Sequence, residues 1–353
     1  MPHIELLTKI RDLQIKSRND FFNKGLFPSF RRNTLLGLTR CDDNIFFSLS
    51  VVYLLHSLMD KFTEEEKNIF QEIEKELLPN LPYYTNNPDR NSFNFWQKDK
   101  NKHFPNGRLL NRFGKFKLPD DIDTTSLAQM VAGTEYQEAL KTKKVLPDHA
   151  NLHRYRILNG HKQLDRYKAY STWFGENMPI EFDVCVLSNY LLWVNHFGFE
   201  LNKNDQDCIG LLCETVENAL YFKSGFKSAP EYPKTEVILY HLARTASNTP
   251  FLHKVKPKLT EDIQTVYLKT WHPFGQMLLQ SSLLKLGVKR DTKTRIFSKY
   301  VEDYWWFTAG LLSVYSNPLI QRIASNSLFH FRFVCPAFNY ALILENQILN
   351  KAF

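Results

Sequence analysis

The stretch DDNIFFSLSVVYLLHSLMDKF, residues 42–62, runs directly into TEEEKNIFQEIEKELL, residues 63–78. The first segment is apolar on nearly every side, as a helix is when it is buried all round. The second gathers its apolar residues on one face, as an outer helix does. Thr63 followed by Glu66 has the form of a capping box, in which each side chain bonds the other residue's backbone N–H. The two segments therefore read as a helical hairpin with one buried and one outer member.

The alternation recurs along the chain. FDVCVLSNYLLWVNHFGF (182–199) is followed by the amphipathic DQDCIGLLCETVENALYF (205–222), TEVILYHLARTASN (235–248) by TEDIQTVYLKTW (260–271), and FGQMLLQSSLLKLG (274–287) by DTKTRIFSKYVEDYWW (291–306). A buried helix followed repeatedly by an outer one implies a helical solenoid or a closed α/α ring. The irregular spacing excludes a short-period array. No run alternates convincingly as a strand, so the expected fold is all-α, with residues 1–353 in one domain. Residues of about 79–120, rich in Asn, Pro, Phe and Lys, are expected to form a long loop covering one end of the ring.

Composition narrows the functional classes. With 353 residues and 43% hydrophobic content the chain is globular rather than disordered. No apolar run is long enough to cross a bilayer, and MPHIELLTKIRDLQIK is an amphipathic, charged helix without a signal-peptide core, which implies a cytoplasmic protein. Cys41, Cys185, Cys208, Cys213 and Cys335 are odd in number and sit in helical segments, so they are expected to be reduced. The net charge of +8 admits nucleic acid, an acidic membrane face or an anionic small substrate. The basic residues are scattered and no nucleic-acid motif accompanies them.

The expected buried helices begin with polar residues: Asp42-Asp43-Asn44, Asp121-Ile-Asp123-Thr-Thr, Glu181-Phe-Asp183 and Lys234-Thr235-Glu236. Asp, Asn and Thr are ordinary N-caps. DIDTT, residues 121–125, exceeds that need, because one cap consumes one residue and here two carboxyls are followed by two hydroxyls. In a ring of inner helices these acids would converge at one end of a central cavity. Its lining is expected to be aromatic, drawing on Phe46, Phe47, Tyr190, Trp193, Tyr240, Trp305 and Trp306. An apolar cavity with a carboxyl at one end suits carbocation chemistry: desolvation keeps the acid protonated against the pull of the helix N-terminus, and aromatic faces stabilise cationic centres.

DIDTT resembles the DxDTT variant of the DxDD motif of class II terpenoid cyclases, specifically that of bacterial drimenyl-diphosphate-type sesquiterpene cyclases. RCDDNIFFSLSVVYLL, TWFGENMPIEFDVCVLSNYLLWV and YPKTEVILYHLAR are similar to segments of bacterial single-domain toroid proteins of that group. The resemblance implies an α/α toroid that protonates the terminal alkene or epoxide of a linear isoprenoid and cyclises it with any diphosphate retained. By position, Asp123 matches the proton donor and Asp121 the first acid. Thr124 stands where DxDD enzymes carry another Asp, with Thr125 beside it. The chain lacks a clear QW repeat.

The anionic head group of such a substrate needs cations, for which Arg31, Arg32, Arg40, Lys234 and Arg244 are the candidates. Asp183, Asn189, Tyr190, Trp193, Tyr240, Phe46 and Trp305 complete the expected substrate contacts. No cofactor is required, with Mg2+ as an optional aid to diphosphate binding, and the expected partner is a small isoprenoid diphosphate, with peripheral membrane contact admitted and nucleic acid not.

Other readings fit less well. DxDxT is also the nucleophile motif of haloacid-dehalogenase-type phosphatases, but there the acid ends a buried strand, and FGKFKLPD is basic and holds a proline. No DDxxD/E cluster supports ionisation of a diphosphate. Asp183 and Cys185 with His241 or His272 give only loose zinc spacing. Two rival classes remain: a carbohydrate-active toroid with paired carboxylates and exposed Trp96 and Trp173, and a non-catalytic lipid-binding toroid with a blocked or acid-free cavity, in which Asp123 points outward as a cap.

Overall fold

The computed structural model describes residues 2–87, 89–98, 118–158, 160–175, 178–289, 298–309, 328 and 330–352. The longer helices are α1 (His3–Leu13), α2 (Phe46–His56), α3 (Glu64–Leu77), α4 (Ile122–Val131), α5 (Tyr136–Val145), α6 (Val184–Phe197), α7 (Lys203–Glu217), α8 (Thr235–Asn248), α9 (Lys256–Lys269), α10 (Pro273–Lys285) and α11 (Pro336–Lys351). The protein is mostly helical.

The first hairpin forms as its pattern dictates. Along α2 nine residues from Phe46 to Leu55 are buried, whereas α3 buries Glu66, Ile69, Phe70, Ile73 and Leu77 on one face. Thr63 and Glu66 close the capping box: the Thr63 hydroxyl accepts the Glu66 N–H at 3.3 Å, and the Glu66 carboxylate accepts the Thr63 N–H at 2.8 Å. A second box, Asn202 with Asp205, starts α7. Helix α1 is amphipathic, burying Leu6, Leu7 and Ile10, and packs on α3 and α11.

Six buried helices are neighbours in sequence order: α2 packs on α4, α4 on α6, α6 on α8, α8 on α10, α10 on α11, and α11 returns to α2. Outside them, α3 lies on α2, α7 on α6, and α9 on both α8 and α10. No helix among the described residues is long and apolar enough to cross a membrane. All five cysteines are free, but not all sit in helices as expected: Cys41 lies in the strand Leu38–Asp42 and Cys335 precedes α11.

Three expectations are corrected. A four-stranded antiparallel sheet is present, in the order β2–β1–β6–β5, built from β1 (Ser29–Asn33), β2 (Leu38–Asp42), β5 (Phe307–Ala309) and β6 (Phe331–Val334). These strands are too short for a visible period, and their partners come from opposite ends of the chain. Residues 79–120 are not structureless: a helical turn at Leu81–Tyr84 leads into a hairpin of β3 (Thr85–Asn87) and β4 (Ser92–Phe93), while residues 99–117 of the expected cover lie outside the described residues. Of the expected helix at 291–306, only Ser298–Asp303 is helical among the described residues, and the chain then enters β5.

The segment after β4 fastens two helix starts. Phe95 O accepts the Ile45 N–H at 3.2 Å just ahead of α2, and Phe93 O accepts the Asp121 N–H at 3.3 Å just ahead of α4. The sheet delivers Phe307 to the same end of the protein, where its ring stacks on Phe47 with centroids 4.9 Å apart.

Candidate active site

The start of α4 answers the question raised by its two acids. Asp121 is the cap: its Oδ1 accepts the Thr124 N–H at 2.6 Å. Asp123 is the second helical residue, is buried, and is therefore spare. Its Oδ1 accepts from the Asn189 amide at 2.5 Å, and its Oδ2 accepts from the Tyr232 hydroxyl at 2.5 Å. Arg244, from α8, donates to the Asn189 carbonyl oxygen, which turns the Asn189 N–H toward Asp123. Thr125 is engaged with Phe93, its hydroxyl accepting the N–H at 3.0 Å. Asp121 Oδ2 and the Thr124 hydroxyl are buried and have no hydrogen-bond partner among the described residues.

Further carboxyls meet these two. Asp183 caps α6, accepting the N–H groups of Cys185 at 2.8 Å and Val186 at 3.2 Å, and its other oxygen accepts the Glu231 N–H at 2.9 Å. Glu181 accepts from the Trp173 indole at 3.1 Å. A backbone ladder holds the two helix starts together, with Ile122 N donating to Thr172 O at 2.9 Å and Thr172 N to Glu181 O at 3.0 Å.

Burial, with this crowding added to it, shifts the carboxyls upward. Burial, reinforced by Glu181, Asp183, Asp121 and Asp123, pushes the Glu231 carboxyl well above the usual range. Burial raises Asp121 strongly, with Asp123 adding to it against the hydrogen bond from the Thr124 N–H, and raises Asp183 to about 7. Asp123 is also raised by burial, but the Tyr232 and Asn189 hydrogen bonds and the Arg244 charge pull it back. Asp123 is thus pushed up by burial, while its conjugate base has donors already in place on both oxygens.

A cavity of about 40 Å³ adjoins these groups, lined by Phe46, Phe95, Asp121, Asp123, Thr124, Thr172, Trp173, Val186, Glu231, Tyr232 and Phe307. Its aromatic wall is close-packed, with Phe46 and Phe307 edge-to-face at 5.5 Å and Tyr232 and Phe307 at 5.7 Å. Of the acids expected at the cavity, Asp121 and Asp123 line it, and Asp183 and Glu181 adjoin Glu231 without lining it; of the expected aromatic residues, Phe46 lines it.

Several nominated contacts lie elsewhere. Tyr190 donates to Asp205 and accepts from Lys143 at 2.6 Å, and the Trp193 indole donates to Gln129 at 2.8 Å, so both serve packing between helices. Tyr240 donates to Glu345 at 2.8 Å. Asp42 is an ion-pair partner of Arg31 at 2.6 Å and accepts from the Trp96 indole at 3.0 Å, which takes both Asp42 and Arg31 away from the cavity. Arg32 pairs with Asp303 at 2.7 Å, and Arg40 is exposed on β2. Lys234 lies 3.3 Å from the Tyr304 ring centre and 4.3 Å from that of Trp305, donates to Trp305 O at 2.9 Å, and is lowered by burial to about 7. Lys234 and Trp305 pair with each other rather than lining the cavity. His241 bonds the Val237 carbonyl through Nδ1 at 2.9 Å and is held neutral by burial. Among the described residues no group of three or more His, Cys, Asp or Glu side chains is arranged to hold a metal ion.

The sequence reading missed Glu231, Tyr232, Phe95 and Phe307. Glu231 and Tyr232 had a signal, lying three and two residues before Lys234 at an inner-helix mouth already noted as polar. Phe95 and Phe307 had none, since each reaches the cavity from a segment whose position is set by long-range pairing. Comparison of the chain with family models, with curated proteins and with solved structures gave no match.

Proposed function

We propose that this protein is a class II terpenoid cyclase on an α/α toroid, a cytoplasmic enzyme that starts cyclisation of a linear prenyl diphosphate, of sesquiterpene length, by protonation. The cyclic neighbour relations of the six buried helices support the toroid reading. The observation that carries the function is Asp123: a buried carboxyl, spare from capping, beside an aromatic cavity, with Asn189 and Tyr232 on its two oxygens.

The proton leaves the Asp123 carboxyl for the less substituted carbon of the terminal alkene, whose π pair accepts it and leaves a tertiary cation, or for the oxygen of an epoxide, whose lone pair accepts it as the C–O bond breaks. The carboxylate left behind is held by Tyr232, Asn189 and, through Asn189, Arg244. Phe46 and Trp173 offer π faces to the carbocation. Loss of a proton to a base, or capture of water, ends the sequence with the diphosphate retained. No cofactor takes part in the proton transfer, and Mg2+ would serve only the diphosphate.

The cavity of about 40 Å³ is too small for an isoprenoid, which needs roughly 300 Å³ or more. Turnover therefore requires Phe95 and Phe307 to withdraw; both sit on strand and loop segments rather than on the buried helices. The carbohydrate-active alternative has less support, because Trp96 and Trp173 are both buried. The lipid-binding alternative expected a blocked or acid-free cavity with Asp123 as an outward cap: the small cavity agrees with the first, but acids line it and the cap is Asp121.

The test is incubation with geranyl, farnesyl and geranylgeranyl diphosphates, then phosphatase treatment and mass spectrometry, beside Asp123→Asn. A cyclic alcohol made by the native protein and absent with the variant is expected. No product at any chain length, or an equally active variant, would overturn the assignment.

A further inference from the structure

The loop joining β1 to β2 reads Thr34-Leu35-Leu36-Gly37, and every residue from Thr34 to Arg40 is exposed. Turns are ordinarily polar. Here Leu35 is 61% exposed, Leu36 54% and Leu38 39%. The tip is held in shape from beneath: the buried Asn33 side chain accepts the N–H groups of Leu35 at 3.1 Å and Leu36 at 3.0 Å, and donates to Leu328 O at 2.5 Å. Gly37 closes the turn at φ +61°, with open space where a Cβ would point.

Basic residues collar this apolar tip. Arg40 lies on β2 beside it, and Arg332, opposite Arg32 in the sheet register, donates to the Thr34 hydroxyl at 3.3 Å. The charges of Arg31 and Arg32 are matched by Asp42 and Asp303. Arg40 and Arg332 have no ion pair among the described residues, so the collar is net positive, as is the whole chain at +8. An apolar wedge with a cationic rim is complementary to an anionic bilayer, where leucines enter the acyl boundary and arginines meet phosphates. A four-residue tip is too small to bury the area a stable protein pair requires.

We propose that the β1–β2 hairpin tip docks this protein on an anionic lipid surface. Docking makes no demand on the reaction, so it stands or falls separately from the cyclase reading. The full chain is sedimented with phosphatidylcholine vesicles and with vesicles of phosphatidylcholine and phosphatidylglycerol, beside Leu35→Ser/Leu36→Ser and Arg40→Gln. All the changes are at exposed positions, and circular dichroism checks that the fold is kept. The native protein is expected to pellet with the mixed vesicles, the double leucine variant to lose about tenfold in partitioning, and Arg40→Gln to lose part of the preference for phosphatidylglycerol. Absence of native binding to the mixed vesicles, or equal binding by the leucine variant, overturns the proposal. Concentration-dependent dimerisation abolished by the leucine variant, with vesicle binding unchanged, would also overturn it and give the tip to self-association.

Discussion

Asn189 donates its amide to Asp123 Oδ1 at 2.5 Å from a position 66 residues further along the chain, and it can do so only in the orientation that Arg244 imposes. The three residues belong to α4, α6 and α8, which are successive neighbours, so the acid is held by the packing of three helices.

Arg244→Met removes the donor that orients Asn189 and the nearby cation that favours the Asp123 carboxylate. Turnover should fall by roughly ten- to a hundredfold, a usual span for a perturbed general acid. Arg244→Lys should not restore it, since an ammonium lacks the planar fork. Steady-state kinetics on both variants checks this, and full rescue by lysine would contradict the orienting role.

Tyr232→Phe takes away the other donor to Asp123. Because that hydrogen bond lowers the Asp123 pKa, its loss should move the alkaline limb of the rate profile to higher pH while the maximal rate drops, the acid being weaker. A lower rate with an unmoved limb would assign Tyr232 to packing alone.

Asp121→Ala should destabilise the protein by about 1 kcal/mol through loss of the α4 cap, and Asp121→Asn by much less, since an amide oxygen also accepts the Thr124 N–H. Urea denaturation measures both. Equal losses would mean that the charge, not the cap, is what α4 needs.

Stability should fall as pH rises toward neutrality. Asp183 titrates at about 7 when folded against 3.8 ordinarily, so between these values the folded protein keeps a proton that the unfolded chain has released. The stability it contributes is full below 3.8 and is lost as pH rises through about 7. Asp121, Asp123 and Glu231 are raised as well and act in the same sense. Urea midpoints should therefore be higher at about pH 5 than at about pH 8, and Glu231→Gln should flatten the slope. An unchanged slope in that variant would separate Glu231 from the cluster.

Lys143 and Asp205 form a buried ion pair at 2.5 Å that ties α5 to α7. Lys143→Met should cost about 3 kcal/mol in urea denaturation, because Asp205 stays buried without its cation. The site around Asp123 is held by other residues, so the specific activity of the folded fraction should be little changed.

The inner and outer helices were legible because periodicity and capping act within a few residues: the apolar surround of α2, the single face of α3 and the Thr63–Glu66 box are all local. The surplus of acids in DIDTT was legible for the same reason, since one helix start can use one cap. The sheet, the engagement of Arg31 by Asp42 and the aromatic wall of Phe95 and Phe307 were not, because each depends on partners brought together only by the folded chain. Sequence by itself determined the capping of α3 and the contrast between buried α2, α6, α8 and α10 and their outer neighbours. Tertiary structure decided that Asp123, rather than Asp121, has its two oxygens on Asn189 and Tyr232, 66 and 109 residues away, because hydrogen bonds across that separation form only once the helices have packed.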